Sequence, residues 1–268
     1  MATPLVSILI PVYNTAPFLT RAITTILTQD YDPMEIILIN DGSTDASESI
    51  IQSFSDHRIR YVKNEQNMGL VYTLNKGIEL SAGTYIARMD GDDLSMPGRI
   101  AAQVAYLEAH PNVGLLATKV SLINEQDESI GYWEADRQHT EPDQIRAYLP
   151  KDNCIAHPSI MVRAELLKKY GYRKEQSQAE DYDLWLRMAA DGVAMHKLPQ
   201  AFIQHRIVHH SFTRSRQQNV FLKLAQTKFR FVRHAWAQGR WNGFVWRTLL
   251  YACIDRIKAI GKTLKKNV

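Results

Sequence analysis

The chain has 268 residues, 45% of them hydrophobic and 22% charged, so it can bury a core as one large or two small domains and is neither disordered nor fibrous. Its two cysteines, Cys154 and Cys253, stand far apart and outside any Cys-x-x-Cys spacing, which excludes a disulfide framework and a zinc knuckle and fits a reducing compartment. The net charge of +4 hides a division: residues 211–268 carry thirteen Lys and Arg against the single acid Asp255, while the other 210 residues sum to −8. An acidic body argues against nucleic acid as its partner, and a basic tail suits phosphates or an anionic membrane.

The first residues lack a basic stretch, and Pro11 cuts their apolar run, so neither a secretory leader nor a membrane span is expected there. In chain order, Leu5 to Ile10 is apolar and rich in β-branched residues, predicting a strand buried on both faces, and Glu35 to Ile39 reads the same way. Between them Phe18, Leu19, Ala22, Ile23, Ile26 and Leu27 recur at helical spacing behind Pro17, a residue suited to a first turn. A second helix is predicted from Asp45, with Glu48 completing a capping box and Ile50, Ile51 and Phe54 facing inward. A strand from Arg60 to Lys63, a helix from Leu70 to Leu80 and a strand from Thr84 to Met89 repeat the rhythm of a doubly wound α/β sheet. Beyond residue 112 the pattern loosens into expected strands at Val113–Thr118, Lys119–Ile123 and Ile155–Val162, hence an open sheet of mixed direction. Ala179 to Asp191 reads as a helix, with Asp181, Leu184, Trp185 and Met188 on one face and Asp183 paired with Arg187 on the other. Two amphipathic helices, Gln217–Ala237 and Phe244–Leu264, close the chain around a turn at Gly239 and Gly243.

Three acidic motifs carry the chemistry. Met89-Asp90-Gly91-Asp92-Asp93 puts three carboxylates into four residues at the end of an apolar strand, where open α/β sheets bind ligands. Such a cluster calls for a cation, and hard divalent ions favour oxygen ligands; a solvated acidic turn is the competing reading. Asn40-Asp41-Gly42-Ser43-Thr44-Asp45 also follows a strand: Asp45 suits a helix cap, whereas Asp41 is placed to accept hydrogen bonds from a base or ribose, with Gly42 allowing close approach. Glu180-Asp181 heads the third motif at the start of a predicted helix, where an acid stabilises the helix dipole. No Gly-x-Gly-x-x-Gly follows the first strand and no P-loop pattern occurs, which disfavours a nicotinamide dehydrogenase and a P-loop NTPase.

Taken in order, Val6-Ser7-Ile8-Leu9-Ile10-Pro11-Val12-Tyr13-Asn14, Asn40-Asp41-Gly42-Ser43-Thr44-Asp45, Asn67-Met68-Gly69, Gly83-Thr84-Tyr85-Ile86, Asp90-Gly91-Asp92-Asp93 and Ala179-Glu180-Asp181-Tyr182-Asp183-Leu184-Trp185-Leu186-Arg187 resemble family 2 glycosyltransferases over about residues 4–215. The resemblance implies the GT-A fold: an open mixed sheet with a nucleotide-binding, Rossmann-like half in a catalytic domain of residues 1–215, followed by a basic helical extension of residues 216–268. It implies inverting transfer of a sugar from a nucleotide-diphosphate donor, UDP by family default, to a saccharide or lipid-linked acceptor in surface-polysaccharide synthesis. On that resemblance Pro11, Tyr13, Asp41, Asp90 and Asp92 would contact the nucleotide-sugar, and Asp92 and Asp93 would hold Mn2+ or Mg2+. Asp181 takes the place of the catalytic base, with Glu180 as its competitor. The family often shows Tyr-Arg-x-His near the end of this domain; here the run is His205-Arg206-Ile207-Val208-His209-His210-Ser211, which makes His209 the expected third metal ligand or phosphate contact. His157-Pro158-Ser159 matches an acceptor-side strand of the family, whereas Tyr170-Gly171-Tyr172 departs from its paired glycines.

A nucleotidyltransferase is the rival enzyme, but it would carry a Gly-rich, Lys/Arg-bearing segment where Pro11-Val12-Tyr13-Asn14 stands. A non-catalytic membrane adaptor would explain the tail but not three acidic motifs. The tail's apolar stripes, Phe221, Ala225, Phe229, Val232 and Trp236, then Val245, Trp246, Leu249, Leu250, Ile254 and Ile257, fit packing on the catalytic domain or a partner subunit, or attachment to an anionic membrane. The expected location is the cytoplasm, and in the last case the inner face of the cell membrane.

Overall fold

The computed structural model describes residues 3–208 and 219–266. Strands β1 (Val6–Val12), β2 (Met34–Asn40), β3 (Ile59–Lys63) and β4 (Tyr85–Arg88) alternate with helices α1 (Ala16–Leu27), α2 (Ser47–Gln52) and α3 (Leu70–Leu80), and the four strands lie parallel in the order β3-β2-β1-β4. β1 is apolar almost throughout because both of its faces are covered. Ile8 and Ile10 share a cluster with Leu19, Ile23 and Ile26 of α1, while Leu9 belongs to the opposite cluster with Leu74 and Ile78 of α3.

After β4 the directions mix. The chain continues through β5 (Leu94–Ser95), α4 (Arg99–Ala109), β6 (Val113–Ile123), β7 (Ser129–Tyr132), α5 (Glu134–Gln138), α6 (Pro142–Tyr148), β8 (Met161–Arg163), α7 (Ala164–Tyr170), α8 (Glu180–Ala190) and β9 (Ala194–Arg206). The sheet runs β3-β2-β1-β4-β8-β6-β9-β5, with β7 added to β6. β8 is antiparallel to β4 and β6, β9 is parallel to β6, and β5 is antiparallel to β9.

Four local expectations are corrected. Val113–Thr118 and Lys119–Ile123 are one strand whose register against β9 shifts at Thr118–Lys119, and such an irregularity breaks the alternation that sequence patterning reads. Ile155–Val162 contributes little strand: His157–Ser159 form a 3-10 turn around Pro158, which has no N–H to give a ladder. Glu48 closes no capping box, because its carboxylate is taken by the Tyr61 hydroxyl and Lys63 Nζ. The Asp183–Arg187 pair forms at 2.8 Å but inside the protein, where Arg173 joins it at 3.0 Å from Asp183.

The last helices, α9 (Val220–Ala237) and α10 (Gly243–Lys266), fold back on one another. Phe231, Val232, Ala235, Phe244 and Val245 enter the same apolar cluster as Leu184 and Trp185 of α8, so the inner face of this hairpin completes the core. Inside it the buried Lys228 Nζ donates to Asp255 Oδ2 at 2.6 Å and to the Lys151 carbonyl at 2.5 Å. No helix among the described residues is long and apolar enough to cross a membrane. Removing one partner of a buried pair strands the other, at a cost of about 3–5 kcal/mol. Asp255→Ala should therefore lower the thermal midpoint by roughly 6–15 °C, while Lys228→Met combined with Asp255→Leu should recover most of it; calorimetric melting of the three proteins checks this.

Candidate active site

Parallel register sets the carboxyl ends of β1, β2 and β4 side by side, with Val12 opposite Asn40 and Leu9 opposite Arg88. The loops that follow lock together. Asn14, held at φ +52°, donates its N–H to Ser43 Oγ at 3.1 Å and accepts the Thr44 N–H at 2.9 Å. Asp45 accepts the N–H groups of Ala16 at 3.0 Å and Ser47 at 2.9 Å, tying together the starts of α1 and α2. Pro11 is a buried strand residue whose carbonyl borders Gly91, and Tyr13 stands exposed at the rim. Asp41 is buried. Its carboxylate accepts from Asn64 Nδ2 at 2.7 Å and from the N–H groups of Met68 and Gly69 at 2.9 Å each, so it shapes the loop that could border a base. Gly42 sits at φ +69°, and a Cβ there would come within 2.5 Å of the Gln66 backbone.

The three carboxylates after Met89 have different surroundings. Asp93 is fully buried: Oδ1 accepts the Arg206 N–H at 2.8 Å, and both oxygens accept from His205 Nδ1 at 3.0 and 3.1 Å. Strand pairing dictates this, because Leu94 lies opposite Gln204 and the next pair outward is Asp93 with His205. Asp90 is held by both terminal nitrogens of the buried Arg88. The Asp92 carboxylate makes no hydrogen bond to another described residue, and burial followed by the charges of Asp93 and Asp90 raises it to about 7. Burial opposes charge on His205, yet Asp93, Asp90 and Asp92 outweigh it and lift the imidazole to about 9.

One ligand atom each from Asp90, Asp93 and His205 lies within 4.8 Å of the others. Two carboxylate oxygens and, once it gives up its proton, an imidazole nitrogen in an over-acidic pocket fit a divalent ion such as Mn2+ or Mg2+. The sequence pointed to Asp92, Asp93 and His209. The structure gathers Asp93 with Asp90 and His205, leaves Asp92 adjacent, and His209 lies outside the described residues.

Glu180 and Asp181 form the first turn of α8, behind Ala179 at φ +52°. Asn153 Oδ1 accepts the Ile155 N–H at 3.0 Å, which turns its amide so that Nδ2 donates to Asp181 Oδ2 at 2.9 Å. Glu180 Oε1 lies 3.8 Å from His157 Nδ1, and His157 Nε2 lies 2.7 Å from the Tyr172 hydroxyl. Burial holds His157 well below its ordinary value, hence neutral, with its ring edge-on to Trp185. Burial and then the charge of Asp181 raise Glu180 to about 7, and burial raises Asp181 too, so the pair keeps a proton near neutrality.

The pattern of glycosyl transferase family 2 matches residues 7–171, from β1 to the end of α7. The chain belongs to that family. It is 30% identical over 218 residues to the O-antigen biosynthesis glycosyltransferase WbnJ of Escherichia coli, spanning 79% of this chain and 83% of that one. Its fold is similar to that of S. aureus TarS, with a TM-score of 0.72 at 16% identity across 94% of this chain and 72% of the other, and TarS is also known in complex with UDP-GlcNAc. The mannosyltransferase PcManGT from Pyrobaculum calidifontis, in complex with GDP-Man and Mn2+, is similar at a TM-score of 0.62 and 18% identity over 97% and 76% of the chains. These likenesses establish the GT-A fold.

Within this family 2 chain, sequence reasoning passed over Arg88, Asn153 and His205. Arg88 could have been flagged as a cation two residues before an acidic cluster; nothing local marked Asn153; and His205 was in view, but its register depends on pairing across 111 intervening residues. Two outcomes follow. Asp93→Asn and His205→Ala should each weaken Mn2+ binding by ~10²-fold or more in titration calorimetry. Because the native Glu180 value lies above the unfolded one, its ionisation lowers stability as pH rises from about 4.5 through about 7; Glu180→Gln should raise the melting temperature at pH 8 and leave it unchanged at pH 4.

Proposed function

We propose that the protein is a metal-dependent, inverting glycosyltransferase that moves a sugar from a UDP-sugar to a hydroxyl of a saccharide or lipid-linked acceptor in surface-polysaccharide assembly. The observation that carries the reading is the meeting of two acidic centres at one buried arginine: Arg88 clamps Asp90 and feels the charges of Asp93 and Glu180. A relative named for O-antigen biosynthesis and a fold neighbour bound to UDP-GlcNAc support the donor and acceptor classes. The basic tail, with its net charge of +12, would hold the enzyme at an anionic, cytoplasmic membrane face.

The nucleobase rests between Tyr13 and the loop that Asp41 anchors, with Asp92 turned to the ribose or the sugar. Asp90, Asp93 and His205 would hold the divalent ion, which supplies positive charge to the departing diphosphate. Asp181 takes the proton of the acceptor hydroxyl as its oxygen bonds to the anomeric carbon, and the bond from that carbon to the diphosphate breaks on the opposite face. Asn153 Nδ2 donates to Asp181 Oδ2 and the Tyr182 backbone N–H also bonds this carboxylate, so the two donors fix its orientation toward that hydroxyl. Glu180 and the neutral His157 line the same wall.

With Mn2+ and a soluble acceptor, kcat/KM should fall about tenfold per pH unit on the acid side of a break that lies above the ordinary carboxylate range, because the base must be ionised and burial raises both carboxyls of the pair. Asp181→Asn should lower kcat by ~10² or more while leaving UDP affinity intact. Full turnover in Asp181→Asn with Glu180→Gln inactive would move the base to Glu180. NMR of the product should show the opposite anomeric configuration to the donor.

A further inference from the structure

The inner face of α10 is accounted for by Phe244, Val245, Thr248, Ala252, Asp255 and Ala259, all buried. Its outer face is not. Trp246, Leu250, Cys253, Ile257 and Ile260 are all exposed, Ile257 at 70%, and their spacing of four, three, four and three residues puts them in one stripe along the helix. At one end the stripe joins an indole cluster: Trp241, itself 58% exposed, stacks on Trp236 at 5.0 Å, and Trp246 lies 5.4 Å from Trp236.

We infer that this stripe is the seat of an anionic lipid surface, with α10 lying in the interface plane. Charge decides between occupants. The exposed flanks carry Arg247, Arg256, Lys258 and Lys262, and the one acid of the helix, Asp255, is buried and spent on Lys228. A second copy seated stripe to stripe would bring cations against cations with no acid to meet them, the reverse of the mixed flanks that pair helices. An anionic headgroup layer complements these flanks, the aliphatic row enters the acyl boundary, and the indoles suit the headgroup level.

The placement also serves the reaction, and here the inference rests on the transferase reading. Asn219 Nδ2, at the start of α9, donates to the Ala259 carbonyl at 2.8 Å, so the Ile257–Ile260 end of the stripe adjoins the first turn of α9. One turn on, Lys223 exerts its charge on Glu180 and Asp181. A membrane on the stripe would therefore lie one helix layer from the acceptor side of the site and favour a lipid-linked acceptor.

Cys253 sits mid-stripe, whereas Cys154 is buried and its thiol is pushed up to about 12, so a thiol-reactive, environment-sensitive fluorophore labels Cys253 in the full chain. With phosphatidylglycerol-containing vesicles the emission should shift blue and the protein should co-sediment. Binding should weaken at least ~10-fold in 0.5 M salt, with pure phosphatidylcholine vesicles, and in the Leu250→Glu/Ile257→Glu variant, which keeps its melting temperature and its release of UDP with a water-soluble acceptor. No binding to the anionic vesicles overturns the inference. So does a blue shift that grows with protein concentration without lipid, with dimer mass in light scattering. Vesicle binding in a protein that turns over no nucleotide-sugar would sink the transferase reading and leave the membrane face standing.

Discussion

A carboxylate with no access to water organises this molecule. Isolating an ionised Asp93 costs several kcal/mol unless donors surround it, and two of its donors, His205 Nδ1 and the Arg206 N–H, come from the far end of the chain's longest strand. The two-residue strand β5 and the end of β9 therefore stay paired because Asp93 needs them, and Asp93 stays buried because they are paired. Arg206 extends the arrangement: its guanidinium bonds the carbonyls of Asp92 and Asn124 and the Asp127 carboxylate, and it lies over the ring of Phe18. One network thus joins the first helix, the acidic loop and the end of the sheet.

The same electrostatic logic divides the carboxylates into two groups. Asp90, Asp92 and Asp93 crowd so closely that they hold a proton on His205, and a divalent ion that takes this nitrogen displaces the proton and supplies the positive charge in its place. Glu180 and Asp181 instead are buried beside the neutral His157, and that burial, with the charge of Asp181 on Glu180, keeps a proton on the pair near neutrality and raises its basicity. Arg88 lies between the groups, fully charged and buried, and keeps either centre from raising the cost of the other without limit. On the function proposed above, the first group serves the nucleotide-sugar and the second its acceptor.

Much of this was legible in local pattern. The helix over Leu70–Leu80 falls where its apolar spacing puts it, and β1 and β2 are readable because a strand covered on both faces has no polar alternation to disguise it. What was not legible is what only pairing decides. β9 carries Lys197, Pro199, Gln200 and two histidines, a poor strand by composition, and it exists because β6 and β5 flank it. The choice between His205 and His209 depends on that register, and the ion pair Asp183–Arg187 reads as a surface pair until α8 is found inside the protein. The tail was read as either packing or membrane-facing; its inner face packs, while the outer face of α10 carries an apolar row that the body does not cover.

The most direct test of the central account is anomalous diffraction from crystals grown with Mn2+ and UDP. The account predicts a single strong manganese peak bonded at ~2.1–2.2 Å to His205 and to at least one of Asp90 and Asp93, in contact with the diphosphate. A UDP-bound crystal with no peak there, or with manganese held elsewhere while His205 keeps its hydrogen bonds to Asp93, would contradict it.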